Sequence, residues 1–273
     1  KPGVTARIAA RMAGINKIVH TVHGIAYYAG ENIFKKTIYY LLEIIALQFG
    51  HYNVTVNDYY LKYYRPFVWK KSIRIYNGVD FANYSFKTEG HKKVSNDFYK
   101  KILFVGRLDS QKNPLTALRA FKLLADNRDD VQFDIVGDGE LRKQCEEFVK
   151  YNKLQTKVIF HGWSNDPTKF YRSADLFFCP SIYEAFGFTF VEAAFNELPI
   201  VASNVEGIPE VVKDGSMGLL CSPHDFYEQF KAIEKILFNE KLCKSFGSFG
   251  KSYVTSNFSF SEAFESYMRC YNA

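Results

Sequence analysis

The chain has 273 residues, 47% of them hydrophobic and 23% charged, with a formal net charge of +6. That length suits two ordinary domains, and that balance excludes a disordered chain. The charge is unevenly spread, because residues 1–95 hold 14 Lys/Arg against 5 Asp/Glu and the remainder holds 21 against 24. A basic, aromatic-rich first half suits an anionic membrane surface, a phosphorylated lipid acceptor or nucleic acid, and equally a merely solvated basic face. Cys145, Cys179, Cys221, Cys243 and Cys270 lie far apart with no C-x-x-C pair. This spacing fits reduced thiols rather than a disulfide or zinc framework and points to a cytoplasmic protein. The longest apolar stretch, residues 38–47, is about half of what a membrane helix needs and is broken by Glu43, and no signal-peptide pattern is present.

In chain order, residues 4–13 read as a helix stopped by Gly14, 17–22 as a strand, 34–49 as a long amphipathic helix, 52–56 as a second strand and 58–64 as a helix. A third strand, 72–76, meets the turn Asn77-Gly78, and the polar, aperiodic stretch 80–96 reads as the linker. From Lys101 the alternation becomes regular. Strands are expected at 102–105, 132–136, 157–160, 176–179, 200–202 and 218–220. Helices are expected at 114–126, 141–152, 167–173, 187–196, 208–212, 226–238 and 241–252. One more amphipathic helix, 261–271, closes the chain. Strand and helix in strict alternation predict parallel, doubly wound sheets.

Chemistry concentrates where predicted strands end. After strand 102–105 come Gly106, Arg107, Leu108 and Asp109, and Lys112 follows as the next helix opens. A guanidinium fork, an ammonium and helix N–H groups together favour the oxygens of a diphosphate. After strand 176–179 the run from Pro180 to Glu192 sets two carboxylates, Glu184 and Glu192, eight residues apart, with Gly187 between them at a helix start. Bare backbone can approach a phosphate or sugar there, and a carboxylate facing vicinal hydroxyls grips a polyol. His20 and His23 lie at the end of strand 17–22, but a strand turns these two side chains apart and no acid or thiol lies near in sequence, so no metal site is expected.

Glu184 and Glu192, with Phe186-Gly187 between them, resemble the E-x(7)-E signature of the retaining glycosyltransferases of family four. Further pieces agree in order. Gly106-Arg107-Leu108 with Lys112-Asn113 resembles the family's diphosphate-binding pair, Gly137-Asp138-Gly139 its glycine turn, and Phe160-x-Gly162 its base-side loop. Asn77-Gly78-Val79-Asp80 resembles the turn that closes the first domain, although Tyr76 stands where proline is usual. The resemblance covers nearly the whole chain. It implies an α/β protein of GT-B type with two Rossmann-like domains, the first lacking its opening strand and glycine-rich loop. The expected divisions are a partial acceptor-side domain at 1–95, a nucleotide-sugar domain at 96–258 and a returning C-terminal helix at 259–273. Beside a truncated first domain, exposed Phe264, Tyr267 and Met268 on that helix would favour self-association.

Carried over residue by residue, the resemblance implies that Arg107 and Lys112 neutralise the diphosphate, Glu192 binds ribose hydroxyls and Glu184 the donor sugar. Backbone at Phe186 and Gly187 would hold the same ligand, with Gly106, Gly137, Gly139 and Gly162 shaping the loops and His23 facing the donor sugar. The implied reaction is metal-independent and needs no cofactor. It moves a hexose-type sugar from a nucleotide sugar, UDP-linked by preference, to a glycan or lipid-linked acceptor with retention of configuration, as in surface polysaccharide or lipopolysaccharide synthesis. The expected place is the cytoplasm, with peripheral contact to the inner face of the membrane through the basic first half. Three rival readings are a binding-only protein, a GT-B epimerase, and an NAD-dependent oxidoreductase. The last is poorly served by Gly137-Asp138-Gly139, which lacks the third glycine and sets a carboxylate in the phosphate loop. Nucleic acid is not an expected partner, since no recognition motif accompanies the basic half.

Overall fold

The computed structural model describes residues 2–24, 32–68, 72–86 and 99–273. They divide into two compact units, Lys1–Val79 with Phe258–Ala273, and Asp80–Asn257.

The first unit opens with α1 (Pro2–Met12), β1 (Val19–Val22), α2 (Ile33–Leu47), β2 (Tyr52–Thr55), α3 (Asp58–Val68) and β3 (Ser72–Arg74). Gly14 ends the α1 segment in a left-handed conformation (φ 72°) that only glycine adopts cheaply. The three strands form a parallel sheet in the order β1-β2-β3, with Val54 paired to Thr21 and Ile73. Its two faces differ. One carries Val54 and Ile75 against apolar neighbours, and the other carries the buried Asn53, Thr55 and Ser72. Within the helical layer Arg7 of α1 is buried and its Nη2 reaches Glu43 Oε1 of α2 at 2.6 Å.

The second unit holds α4 (Phe81–Phe86), β4 (Lys100–Val105), α5 (Pro114–Asn127), β5 (Val131–Val136), α6 (Arg142–Tyr151), β6 (Val158–Gly162) and α7 (Thr168–Ser173). It continues with β7 (Leu176–Cys179), α8 (Phe188–Phe195), β8 (Ile200–Ser203), α9 (Ile208–Val211), β9 (Gly218–Cys221), α10 (Phe226–Leu237) and α11 (Glu240–Asn257). Six parallel strands lie in the order β6-β5-β4-β7-β8-β9. Because β7 and β8 are buried at every position, these strands read as continuous apolar runs rather than alternating ones, as expected of a parallel sheet covered on both faces. Phe104, Phe133, Phe177, Phe178 and Phe190 form the aromatic centre of the core, each fully buried. Burying side chains of this size contributes roughly 1.5–3 kcal/mol apiece before the entropy cost of ordering them.

Three differences from the sequence reading have physical causes. The stretch 80–96 is not all linker: its first residues form α4, and Phe81 stacks on Phe195 at 5.0 Å, so the division falls at Val79/Asp80 rather than after residue 95. The rest of that stretch, from residue 87, lies outside the described residues. Helix α11 runs five residues past the expected stop at 252. Its Gly247 sits where a Cβ would come within 2.1 Å of the Glu197 carbonyl, so that glycine serves close packing. Finally, α12 (Phe260–Asn272), which lies in the first unit, departs from the sequence reading at one side chain. Tyr267 is not an outward aromatic: its hydroxyl hydrogen-bonds Thr21 Oγ1 at 3.0 Å, and its ring packs with Val54, Ile75 and Cys270. Phe264 and Met268 do remain exposed. The Asn77-Gly78 turn is pinned by the same helix, since a Cβ on Gly78 would meet the Phe260 backbone at 2.6 Å.

Candidate active site

In a doubly wound sheet, ligands bind outside the carboxyl ends of the strands where the strand order reverses. Here that point lies between β4 and β7, neighbours in the sheet whose following helices belong to opposite directions of winding. The loops that leave these two strands are the ones that carry Gly106–Lys112 and Glu184–Gly187.

The β4–α5 loop is built on glycine contacts. Gly106 donates to Val136 O at 3.0 Å, and Gly137 donates to Gly162 O at 2.8 Å, which links the ends of β4, β5 and β6. Gly137 has φ 138°, and a Cβ there would lie 1.9 Å from the Gly106 carbonyl oxygen. A Cβ on Gly139 would lie 2.5 Å from the Leu108 carbonyl oxygen. These two positions therefore accept no side chain without moving backbone. On Gly106 a Cβ would make only ordinary van der Waals contact with the Lys112 stem, 3.4 Å away, which places that stem directly over the glycine. Gly162 is left-handed (φ 70°) with open space around it.

Lys112 is nearly buried and its ammonium is in a short contact with Glu184 Oε2, which joins the two loops. Burial alone would lower the Lys112 pKa, but the carboxylates of Glu184 and Asp109 outweigh it, and the ammonium is held above its ordinary range. Cys179 is fully buried, and its thiol is pushed up by that burial. Asp109 Oδ1 accepts from the Lys112 backbone N–H at 3.0 Å, and Asp109 Oδ2 lies 3.1 Å from Arg107. Arg107 is mostly exposed and also donates to Gln111 Oε1 at 2.8 Å.

On the other side of the switch point, Gly187 is the N-cap of α8 in a left-handed conformation (φ 78°). A Cβ there would strike the Phe190 ring at 2.5 Å and approach Glu184 Cγ at 3.2 Å. Phe186 is buried and meets the Phe188 ring edge to face, with centroids 5.2 Å apart. Glu192, in the second turn of α8, is engaged separately from Glu184: Tyr171 Oη donates to its Oε2 at 2.8 Å. Burial raises the Glu192 pKa, and the Tyr171 hydrogen bond offsets part of that rise.

The structure thus brings Lys112, Glu184, Gly106 and Gly187 together, joins the glycine turns beneath them, and gives Arg107 and Glu192 their own partners. His23 lies on an exposed bend just after β1 in the first unit. The neighbouring His20 is partly buried against Gly3, and burial, with Arg7 next in importance, depresses its pKa to about 4. Among the described residues, no group of three or more His, Cys, Asp or Glu side chains is placed to hold a metal ion.

Sequence reasoning missed the residues that hold this arrangement. Gln111 donates to Tyr183 O at 3.1 Å, and Asn113, left-handed at φ 55°, donates to Pro180 O and Pro223 O at 3.3 and 2.9 Å. Glu206, also left-handed at φ 42°, accepts from the Glu184 N–H at 3.1 Å, while the Gly207 N–H donates to Glu184 O at 3.0 Å. Both backbone groups of Glu184 are therefore fixed from a loop 22 residues away. The only sequence signal was Asn113, an αL-tolerant residue just ahead of Pro114.

A doubly wound unit with these two loops at its switch point is characteristic of the GT-B class of folds. The chain belongs to the family of glycosyl transferases group 1, whose profile matches residues 86–253. It is 32% identical over 257 residues to an Escherichia coli UDP-Gal:alpha-D-GlcNAc-diphosphoundecaprenol alpha-1,3-galactosyltransferase, covering 86% of this chain and 64% of that one. A Campylobacter jejuni 4-alpha-N-acetylgalactosaminyltransferase acting on N-acetylgalactosamine-N,N'-diacetylbacillosaminyl-diphospho-undecaprenol is 28% identical, covering 67% of this chain and 49% of its own. The chain thus spans less than two thirds of the length of either relative. Among solved structures, Anabaena Alr3699/HepE in complex with UDP superposes with a TM-score of 0.85 at 19% identity, covering 99% of this chain and 76% of that one. A mutant of Staphylococcus aureus TarM, also in complex with UDP, gives 0.82 at 19% identity, covering 96% and 53%. At these identities the structural likeness establishes the fold.

Proposed function

We propose that this chain holds a UDP-linked hexose and transfers it, with retention of anomeric configuration and without a metal ion, to a glycan or lipid-linked acceptor in surface polysaccharide synthesis. The observation that carries the reading is the Lys112–Glu184 pair, set across the β4/β7 switch point with the left-handed Gly187 beside it. An ammonium has three donors, and Glu184 takes one of them, which leaves Lys112 able to serve diphosphate oxygens at the same time. Glu184, tied at its N–H and C=O, then presents its second carboxylate oxygen to donor-sugar hydroxyls. Glu192 accepts from ribose hydroxyls while Tyr171 steadies it.

Breaking the anomeric C–O bond leaves charge on the diphosphate. Lys112, Arg107 and the N-terminal backbone of α8 stabilise that leaving group more in the transition state than in the ground state, which is the condition for catalysis. Fixed cations in a partly buried site do the work that a divalent ion does elsewhere. We take retention to proceed by same-face attack, in which the leaving phosphate oxygen takes the acceptor's proton, and in that route Glu184 has no role as a covalent nucleophile. The relatives that act on diphospho-undecaprenol intermediates favour a lipid-linked acceptor. Such an acceptor places the work at the membrane surface.

The test is calorimetric titration with UDP, GDP, ADP and NADH, repeated with Arg107→Ala and Glu192→Ala, followed by a transfer assay with a diphospholipid acceptor and a panel of UDP-sugars. One nucleoside diphosphate should bind, each substitution should weaken it about tenfold, and Lys112→Met should slow transfer by about 10²–10³. Preference for NADH, or binding indifferent to both substitutions, would sink the reading.

A further inference from the structure

Helix α2 is built inside out for a helix facing water. Its single acidic residue, Glu43, is turned inward to Arg7, and Ala46 and Leu47 are buried. On the opposite side Phe34, Ile38, Leu41, Leu42 and Ile45 form a stripe at helical spacing, each between 44% and 76% exposed among the described residues. Five large apolar side chains in one row are unlike the scattered single ones of an ordinary surface and mark a face that something else covers.

What covers it is indicated by charge. No carboxylate lies on the outward side of α2, the exposed Lys35 borders that side in the first turn next to Phe34, and residues 1–95 carry 14 Lys/Arg against 5 Asp/Glu. Helix α12 of the same unit also exposes apolar residues, Phe260, Phe264 and Met268, but shares its surface with the exposed Glu262 and Glu265. An anionic surface accepts the first pattern and repels the second. At 15 residues α2 is about 22 Å long, short of the roughly 30 Å hydrocarbon core, so it would lie in the membrane plane rather than cross it.

We propose that the Phe34–Ile38–Leu41–Ile45 face of α2 docks this unit on an anionic lipid bilayer, with Lys35 at its flank at the headgroup level. The inference names the surface by which the membrane-side reading above would be realised. It stands apart from the acceptor assignment, because its probe contains neither donor nor acceptor.

The experiment is co-sedimentation of the 273-residue chain with vesicles of phosphatidylcholine, alone or with one-third phosphatidylglycerol, at low salt. The chain should partition to the anionic vesicles only, and the triple variant Phe34→Ser, Ile38→Ser, Leu41→Ser should partition at least about tenfold less. All three sites are exposed, so the variant should keep the thermal unfolding of the parent. Phe34→Trp supplies a second readout, an added blue-shifted emission component in the presence of anionic vesicles. Absence of partition at low salt, or equal partition of the triple variant, overturns the proposal. So does a concentration-dependent dimer in light scattering that the triple variant abolishes, which would assign the face to a second copy of the chain.

Discussion

The two units solve the same problem, a parallel sheet between helices, with unequal materials. In the second unit the central strands are buried at every position and five fully buried phenylalanines centre an otherwise aliphatic core. In the first, one face of the three-stranded sheet buries Asn53, Thr55 and Ser72, and Arg7 lies buried among the helices. Arg7 Nη1, both polar atoms of the Asn53 side chain and Ser72 Oγ lack hydrogen-bond partners among the described residues. The larger second unit leaves only Thr189 Oγ1, Ser203 Oγ and Gln229 Oε1 in that state. An unpaired buried polar group costs roughly 1–3 kcal/mol, so the first unit carries the heavier penalty for its size. Rigidity is thus concentrated where the candidate donor site lies. The second unit holds its β5–α6 turn at Gly137 and Gly139 against backbone that admits no side chain, whereas the first unit gives up packing for polar and surface features.

The strongest way to break this contrast is at the glycine seam. Gly137→Ala forces a Cβ to within 1.9 Å of the Gly106 carbonyl at φ 138° and should cost more than about 3 kcal/mol, enough to unfold the second unit in a denaturant titration. Gly14→Ala in the first unit, with φ 72° and no atom within 4 Å, should cost only about 1 kcal/mol. Equal costs at the two positions would remove the claim that the seam is the stiff part of the molecule.

Next in size is the pH response of ligand binding. Burial raises the Glu192 pKa, so if its carboxylate grips ribose, UDP affinity should decline on acidification beginning at a higher pH than an ordinary glutamate gives. Tyr171→Phe removes the hydrogen bond that favours the charged form and should move the decline higher still, with affinity at alkaline pH nearly unchanged. A pH profile that Tyr171→Phe leaves in place would separate Glu192 from the ligand. The smallest effect belongs to the first unit. His20 falls from 6.5 in the open chain to about 4 in the fold, so the folded state binds fewer protons between those values. Its contribution to stability is complete above pH 6.5 and is lost as pH falls toward about 4. Discounted for partial exposure, that is on the order of 1–2 kcal/mol, and His20→Gln should flatten the slope of unfolding free energy against pH over that window.

The sequence was most legible where local chemistry and tertiary role coincide. Strand 176–179 is read to the residue because its apolar run is too short for a helix and is bounded by Ala-Asp and Pro-Ser. The order of the glycine turns, Lys112 and Glu184 was legible for a similar reason, since a strand end followed by glycine and a cation is a local pattern. Partners were not legible. Nothing in the spacing of Asn113 and Pro223, 110 residues apart, or of Tyr171 and Glu192, 21 apart, announces that they hydrogen-bond. Helix α4 was lost because a short polar segment reads as linker until Phe195 offers Phe81 a ring to stack on. The outward face of α2 was visible only as an amphipathic pattern, because periodicity shows that two faces differ without showing which one faces in.

The central claim is that Glu184 and Glu192 hold different parts of one donor, and paired titrations test it most directly. UDP and a UDP-hexose would each be titrated into the parent chain, Glu184→Gln and Glu192→Gln. The account predicts that Glu192→Gln weakens both ligands by a similar factor, about tenfold, while Glu184→Gln weakens the UDP-hexose and leaves UDP close to the parent. If both variants bind both ligands as the parent does, or if Glu184→Gln weakens UDP as much as it weakens the sugar nucleotide, the assignment of the two carboxylates is wrong.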